Sequence, residues 1–248
     1  MRYLYIIYFL STLTILSQES QIPINTQTIF FSINHAYQIP VGNLSNRFGH
    51  NSDISFTLAY LAKNNILVNL EAGFLFGPTV KEPTLFQLID GDNGNLISQN
   101  GEIPTIRLFE RGGHIDLNFG KFFEFKNTKN RSGIILTFGL GYIYHKIFIE
   151  TLITQLPQIN ETLLKGYDQL HGGIVSKEFI GYMHLSKLNN IRFLIGLEAM
   201  QGFTKNLRGY NYDTQLFTDN TQIDHLIGIK CGIIIPIKQR SVERYYYF

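Results

Sequence analysis

The sequence predicts an all-β fold: an eight-stranded antiparallel up-and-down transmembrane β-barrel with long extracellular loops. Eight stretches alternate apolar residues with small or polar ones at a period of two, which is the period of a β-strand. Tight connections between these stretches alternate with long ones, as in barrels of the outer-membrane type. Charged residues make up 16% of the 248-residue chain, below the usual ~25%, and this favours an outer surface that meets lipid.

The first 20 residues are predicted to be a secretory signal peptide. Arg2 supplies a positive charge, residues 3–16 are largely apolar, and small residues follow at Ser17 and Ser20. The apolar run is shorter than the ~20 residues of a spanning helix, which favours a signal peptide over the alternative, a retained N-terminal anchor. The predicted organisation is a signal peptide at 1–20, an outer-membrane barrel at 21–236 and a periplasmic tail at 237–248.

Each predicted strand follows from its alternation. The clearest runs from Ile134 to Phe148, where the even positions are mostly large and apolar. The least regular is the sixth, because Glu178 faces the lumen only if Ile180 and Tyr182 do so as well. The predicted strands are 28–40, 52–62, 66–77, 112–125, 133–149, 174–187, 190–203 and 222–236.

The connections between these strands set the orientation of the barrel. Three of them are long and form predicted outer loops, at 78–111, 150–173 and 204–221, whereas 41–51 is a medium-length outer loop. An even number of strands then places both termini on the periplasmic side. The alternative is a soluble lipocalin-like barrel, whose apolar lumen is a poor match for the charged inward face predicted here.

Charged residues recur on the inward face of the predicted strands. An eight-stranded barrel has an interior that side chains can just fill, so these residues predict a polar plug of ion pairs and hydrogen bonds. A narrow proton or ion path is the alternative. The predicted plug residues are Glu71, Asp116, Glu124, Arg192, Glu198, Asp224 and Lys230.

The histidines are the main candidates for catalysis. His35 and His225 are predicted to face outward on the first and last strands, whereas His114 and His145 face inward. A lipid-modifying enzyme similar to the lipid A deacylase barrels would need an outward His with a Ser and a carboxylate. No such partners are evident on that face, since Ser32 is predicted to face inward. We therefore predict no catalytic residue and no enzyme, and His225 is expected to be non-catalytic.

Cofactor, metal and nucleic-acid sites are not predicted. The histidines are scattered, the only cysteine, Cys231, faces lipid, and no phosphate-binding motif is present. The acidic turn at 90–94, Asp-Gly-Asp-Asn-Gly, lacks the Glu of an EF-hand calcium loop, so a plain turn is favoured over a cation site. A net charge of +2 does not indicate a nucleic-acid partner.

The outer loops and the tail combine aromatic, arginine and glycine residues, a mixture typical of protein contacts. The alternative is that the loops pack over the mouth of the barrel, of which the same mixture is equally typical. The expected partners are outer-membrane lipid and other proteins of the envelope. The residues predicted to take part in such contacts are Arg107, Arg111, Arg208, Tyr210, Tyr212, Tyr245 and Phe248.

Over residues 28–248 the chain resembles the small eight-stranded outer-membrane proteins of Bacteroidota. The segments that carry the resemblance are Gln38–Gly42 with Arg47–Gly49, Arg107–Arg111, Gly166–Asp168, Phe179–Tyr182, Gln201–Thr204, and Ile235-Pro236 with the Tyr-rich end. The resemblance implies an outer-membrane location. It also implies a role as an accessory subunit of an assembly or secretion machine, and it supplies no catalytic residues.

Overall fold

The computed structural model describes residues 27–82, 85–86, 96, 101–125, 131–152, 161–186, 191–212, 215–217 and 220–237. The helices and strands in these ranges, in chain order, are β1 (Thr28–Gly42), α1 (Leu44–Arg47), β2 (Asn51–Leu61), β3 (Ile66–Gly77), β4 (Thr105–Glu124), β5 (Arg131–Leu152), α2 (Glu161–Tyr167), β6 (His171–Leu185), β7 (Arg192–Asn206), β8 (Tyr210–Asn211), β9 (Leu216–Phe217) and β10 (Gln222–Pro236). The predicted signal peptide, the acidic turn at 90–94 and most of the tail lie outside the described residues.

Eight of these strands close into a ring in the order β1-β10-β7-β6-β5-β4-β3-β2. Every neighbouring pair is antiparallel, and β1 pairs with β10 from Phe30 opposite Pro236 to Gly42 opposite Asp224. The two-residue strands β8 and β9 form a separate hairpin. The prediction of an eight-stranded antiparallel barrel is confirmed.

The bounds of β3 and β10 match the prediction, whereas β4 and β5 are longer than predicted. Thr105 begins β4, seven residues before the predicted start, and pairs with Leu152 at the end of β5. The outward face of this extension carries Arg107 and Glu150, which lie directly opposite each other. The extension lacks the apolar outward face on which the prediction relied, and a sheet that rises above the lipid does not need one.

The outer face of the barrel is apolar on every strand. Large exposed apolar patches on a protein surface indicate contact with another apolar phase, and here they form a band around the whole ring. One exposed residue from each barrel strand illustrates it: Ile33, Phe56, Leu70, Leu117, Phe138, Ile180, Leu197 and Ile229. This band excludes the lipocalin-like alternative. Closed barrels with such a band are of the outer-membrane type, and the predicted location in the outer membrane of a Gram-negative bacterium follows from this architecture.

Two short helices lie in the connections: α1 between β1 and β2, and α2 between β5 and β6. Among the residues that the structure describes, no helix has the length and the apolar composition that crossing a membrane requires.

The sixth barrel strand has its faces defined by the structure. Lys177 and Phe179 are buried in the lumen, whereas Ile180 is exposed to lipid. Glu178 and Tyr182 share the outward face with Ile180, so Glu178 does not join the lumen.

Candidate functional site

The lumen is filled in three layers. Apolar side chains predominate at its two ends, and the largest cluster of buried charges lies in the middle layer. The periplasmic layer contains Phe30, Leu61, Leu67, Phe122, Ile135, Phe179, Met183, Leu185, Leu194 and Ile234. The extracellular layer contains Leu44, Phe48, Leu75, Ile143, Ile147, Val175, Met200 and Leu226. The sequence predicted the polar layer alone, so the two apolar layers are a finding of the structure.

Lys177 is at the centre of the polar layer, although the prediction omitted it. Its Nζ lies 2.9 Å from Glu71 Oε1, 3.7 Å from Asp116 Oδ1 and 3.6 Å from Glu198 Oε2. Lys230 Nζ contacts the same Glu71 oxygen and lies 3.5 Å from Glu198 Oε2. The four predicted residues Glu71, Asp116, Glu198 and Lys230 are thus brought together around a lysine from β6.

His114 extends this network toward β2. Its Nδ1 lies 2.5 Å from Asp116 Oδ1, its Nε2 lies 3.2 Å from Asp53 Oδ2, and all three side chains are fully buried. Gly73 on β3 provides the space, because a Cβ at that position would lie 2.2 Å from His114 Nε2. Asn118 donates to Asp116 Oδ2 at 2.6 Å. Buried polar groups satisfied in this way fix one packing arrangement.

Asp53, Glu71 and His114 also form a set that could hold a metal ion, since their ligand atoms lie within 4.8 Å of one another. Two observations disfavour a cation there. Glu71 already contacts Lys177 and Lys230, and both ring nitrogens of His114 lie against carboxylates. The lysines place two positive charges where an added cation would have to sit, so the set is better suited to an ion-pair network.

Three of the predicted plug residues lie apart from this cluster. Glu124 pairs with Arg131 at 3.2 Å near the periplasmic end. Arg192 donates to the Ser186 carbonyl oxygen at 3.2 Å. Asp224 lies in the extracellular half of the lumen, beside His145 and Thr204.

The mouth of the barrel is covered by its own loops. The chain at α1 turns inward, so that Leu44 and Phe48 are buried in the extracellular layer. Arg47 Nη2 donates to Gln169 Oε1 at 3.0 Å, its Nη1 lies 3.2 Å from His171 Nδ1, and its Nε lies 3.3 Å from Glu82 Oε1. Burial lowers the pKa of the Arg47 guanidinium, and the Glu82 carboxylate opposes that shift. Arg47 thus joins the first outer loop to the segment after α2.

Beneath this cover, His145 Nε2 lies 3.0 Å from Asp224 Oδ2. Thr204 Oγ1 donates to the same Asp224 oxygen at 2.5 Å. His145 also stacks on His171 with ring centroids 5.7 Å apart. A nucleophilic site would place the base between the hydroxyl and the carboxylate, but here the carboxylate lies between the other two groups. The arrangement therefore suits packing rather than acyl transfer.

The outer wall carries a polar row that was not predicted. Ser176 on β6 lies opposite Gln201 on β7, and Gln201 lies opposite His225 on β10. Glu178 is on the same wall, so this face carries a serine and a carboxylate that the sequence analysis did not identify. Neighbouring strands are about 4.8 Å apart, which separates the Cα atoms of Ser176 and His225 by about 10 Å. Gln201 stands between the two residues, and the row does not form a nucleophile–base contact.

Five of the predicted contact residues lie in the described part of the chain, at the extracellular end. Arg107 and Arg111 are on the outer wall of β4 rather than in a loop. Arg208 binds Asp168 through two hydrogen bonds of 3.0 and 2.6 Å. Tyr212 packs edge-on against Tyr167, with ring centroids 5.6 Å apart.

Tyr210 packs on Phe217 across the β8–β9 hairpin, with ring centroids 4.9 Å apart. The ring of Phe217 is 85% exposed. Tyr245 and Phe248 lie outside the described residues, so their predicted role stays a prediction.

One small cavity lies between the polar and periplasmic layers. It has a volume of about 40 Å³ and is lined by Asn34, Thr57, Lys177 and Phe179, among others. Pockets for small-molecule ligands usually measure ~300–1,000 Å³, so this cavity is too small for a substrate.

Comparison with known proteins gives likenesses to solved structures only. No family model matches the chain, and no curated protein matches it. The attachment invasion locus protein Ail of Yersinia pestis is 8% identical, with a TM-score of 0.41, over 85% of this chain and 99% of that chain. The N-terminal β-barrel domain of Pseudomonas aeruginosa OprF is 8% identical, with a TM-score of 0.38, over 85% and 100%. A major outer membrane protein from Thermus thermophilus is 11% identical, with a TM-score of 0.39, over 84% and 99%.

Proposed function

We propose that the chain is a non-enzymatic outer-membrane barrel with a plugged lumen, acting as a structural or accessory component of an envelope complex for outer-membrane assembly or secretion. The observation that carries the proposal is the filled lumen. An ion layer is packed between two apolar layers, which leaves the outer loops as the surface available for function. We also propose that the chain is a small outer-membrane barrel of the Bacteroidota type.

The filled lumen argues against the alternative of a narrow channel. An ion crossing the barrel would have to pass Phe122 and Met183 in the periplasmic layer and Phe48 in the extracellular layer, all of them buried. The lysines of the middle layer are held by carboxylates. We expect no conductance when the purified chain is reconstituted in planar bilayers. Discrete conductance steps that persist at low protein density would contradict the plugged-lumen proposal.

The β8–β9 hairpin supports a contact role for the outer loops. Both residues of β9 are exposed, Leu216 at 61% and Phe217 at 85%. Exposed aromatic and aliphatic side chains in a loop region are typical anchors of protein interfaces. The proposed partners are other proteins of the envelope, in addition to the surrounding lipid.

The experiment that tests the proposal is affinity purification of the tagged full chain from its own membranes in a mild detergent, with mass spectrometry of the co-purifying proteins. We expect a stoichiometric set of envelope proteins that is lost from the Leu216→Ser/Phe217→Ser variant. The matched control is Ile103→Ser, since Ile103 is also an exposed apolar residue outside the hairpin, at 68%. Recovery of a monomer alone, with an unchanged envelope proteome after gene deletion, would contradict a role in a complex.

A lipid-modifying enzyme is the second candidate function. The polar row on the outer wall favours it, because Ser176, Glu178 and His225 share the lipid-facing side. The strand that separates Ser176 from His225 argues against it. Lipid profiling of a deletion strain distinguishes the two functions, because an enzyme predicts altered acyl chains on lipid A or phospholipid.

A further inference from the structure

A cationic cleft lies where the outer wall of β5 meets α2. This rim pocket has a volume of about 210 Å³. Its walls are the apolar side chains of Phe148, Ile149 and Leu164, and its polar groups come from Lys146, Lys165, Asp168 and Arg208. Three cations and one carboxylate leave the pocket with an excess of positive charge.

The carboxylate in the pocket is already occupied. Arg208 holds Asp168 through two hydrogen bonds, and these hydrogen bonds raise the pKa of the Arg208 guanidinium. Lys146 Nζ is farther from Asp168, at 3.8 Å, and its side chain is 37% exposed. Lys165, in the last turn of α2, is exposed as well. Asp168 is thus shared between Arg208 and Lys146 and supplies one negative charge against three cations, so the pocket keeps two uncompensated positive charges.

A second observation points to an anion at the same place. Arg111 on β4 lies directly opposite Lys146 on β5, so two like charges face each other on the outer wall. Like charges directly opposite in an antiparallel pair destabilise a sheet, whereas Arg107 and Glu150, four residues farther along the same face of each strand, form a complementary pair. The Arg111 guanidinium is fixed beside Phe148, 5.6 Å from the ring centroid. A bound anion would remove the repulsion between Arg111 and Lys146.

The height of the pocket on the barrel indicates which anion it meets. Ile134 begins the outward apolar run of β5 near its periplasmic end, and Lys146 follows 12 residues later. At about 3.3 Å per residue and a strand tilt of 35–45°, Lys146 lies about 30 Å above Ile134. The apolar band of such barrels is about 25 Å tall, so Lys146 reaches the level of the outer-leaflet headgroups. Below Lys146, the exposed side chains of Tyr144 and Tyr142 continue the lipid-facing surface of β5.

We propose that the rim pocket binds a phosphate group carried by an anionic glycolipid of the outer leaflet. Lys146 and Lys165 would contact the phosphate oxygens, and Arg111 would add charge from the adjacent strand. Tyr144, the outward residue below Lys146 on β5, would pack against the apolar part of the lipid. Lysine and arginine side chains near a membrane surface are the groups that recognise lipid phosphates. This site is independent of the proposed accessory role.

The test uses the full chain in phosphatidylcholine nanodiscs that contain one-tenth bis-phosphorylated lipid A. Native mass spectrometry after release into detergent measures the lipid A retained on the barrel. We expect the Lys146→Gln/Lys165→Gln variant to retain about 10- to 30-fold less lipid A than the unaltered chain. The matched control is Lys121→Gln, which removes one lysine charge from the same outer wall near the periplasmic end. We expect its retention to be unchanged.

Two further arms identify the source of the phosphate. Dephosphorylated lipid A should not be retained by the unaltered chain. Inorganic phosphate at about 10 mM should leave bound lipid A in place, because the acyl chains add affinity that the free ion lacks. The proposal is overturned if the double variant retains as much lipid A as the Lys121→Gln control, if dephosphorylated lipid A binds equally well, or if free phosphate displaces the lipid.

Discussion

Lys177 and Glu71 meet across the lumen, with Lys177 Nζ 2.9 Å from Glu71 Oε1, although the two residues are 106 positions apart in the chain. Lys177 is on β6 and Glu71 is on β3, and β5 and β4 lie between these strands in the ring. The contact therefore spans the barrel rather than joining neighbours. It makes the polar layer a link between opposite walls.

Removal of Lys177 should strongly destabilise the barrel. Lys177→Met leaves the buried carboxylates of Glu71, Asp116 and Glu198 with Lys230 as the remaining lysine. Loss of one partner from a buried ion pair costs about 3–5 kcal/mol. Urea unfolding in phospholipid vesicles, followed by tryptic accessibility and gel mobility, would measure the change in the free energy of unfolding.

The control for Lys177→Met is Lys121→Met, since Lys121 is exposed on the outer wall and its loss should change stability by less than about 1 kcal/mol. A double variant, Lys177→Met/Glu71→Leu, should recover part of the lost stability, because it leaves one carboxylate fewer for Lys230 to compensate. If Lys177→Met were as stable as Lys121→Met, the cross-lumen ion pair would not matter for folding.

Gly196 on β7 should tolerate no side chain. A Cβ there would lie 2.3 Å from the Ile180 carbonyl oxygen and 2.8 Å from the Phe179 ring. We expect Gly196→Ala to lower the free energy of unfolding by about 2 kcal/mol or more, measured by the same urea titration. Gly202→Ala is the matched control on the same strand, because its Cβ would meet nothing closer than Ile143 at 3.3 Å. Equal stability of the two variants would refute the close packing of Phe179.

Replacement of Glu178 should stabilise the barrel in a pure lipid bilayer. Its carboxylate is on the outward face, flanked by Phe138 on β5 and Ala199 on β7. A carboxylate on the lipid face costs less than the 2–4 kcal/mol of a lysine or arginine there, so Glu178→Leu should raise the free energy of unfolding by about 1 kcal/mol. The measurement is unfolding in phosphatidylcholine vesicles. A loss of stability in Glu178→Leu would mean that the carboxylate has a favourable contact in the folded barrel.

The cover over the mouth should depend on Arg47. Arg47→Leu removes the contacts with Gln169, His171 and Glu82 but leaves Leu44 and Phe48 in place. We expect faster cleavage of the extracellular loops by a protease added to intact cells or vesicles, with little change in global unfolding. The control is Ser45→Ala, two residues away in α1, because the Ser45 hydroxyl donates to the Gly42 carbonyl oxygen within the same loop. Unchanged cleavage of Arg47→Leu would show that apolar packing alone holds the cover.

His225 should not be required for any lipid modification. Gln201 separates His225 from Ser176, and the pair lacks the contact that a nucleophile and its base need. We expect cells carrying His225→Ala to have the same lipid A and phospholipid acyl profile as the parent strain, by mass spectrometry of extracted lipid. A changed profile with a normally folded barrel would revive the enzyme hypothesis.

Strand alternation was enough to predict the membrane-spanning part of the fold. The bounds of β3 and β10 were predicted because each alternates along its whole length. The extension of β4 was not predicted, because above the lipid its outward face carries arginines instead of aliphatic residues. Lys177 was missed because Glu178 follows it directly, and two charges in succession leave the inward one undetermined. The apolar Ile180 could have decided the question, because Glu178 lies two residues before it and shares its outward face. Lys177 then faces the lumen.

The apolar ends of the lumen left a weaker signal in the sequence. Near the periplasmic end, apolar residues occur in adjacent pairs, as in Phe122-Phe123 and Ile134-Ile135. One member of each pair faces lipid and the other faces the lumen. Such pairs break the strict alternation, so they obscure the strand pattern at the place where they close the interior.

The polar layer also constrains how the protein can be assembled. Its charged residues come from six different strands, with Asp53, Glu71, Asp116, Lys177, Glu198 and Lys230 each on its own strand. Water can solvate these groups while the sheet is open, but the hydrocarbon interior cannot. A sheet that is only partly closed would expose these charged side chains to the hydrocarbon interior, which is energetically unfavourable. Insertion of the strands and closure of the ring are therefore coupled. The buried charged side chains thus favour insertion of the closed barrel over insertion of an open sheet.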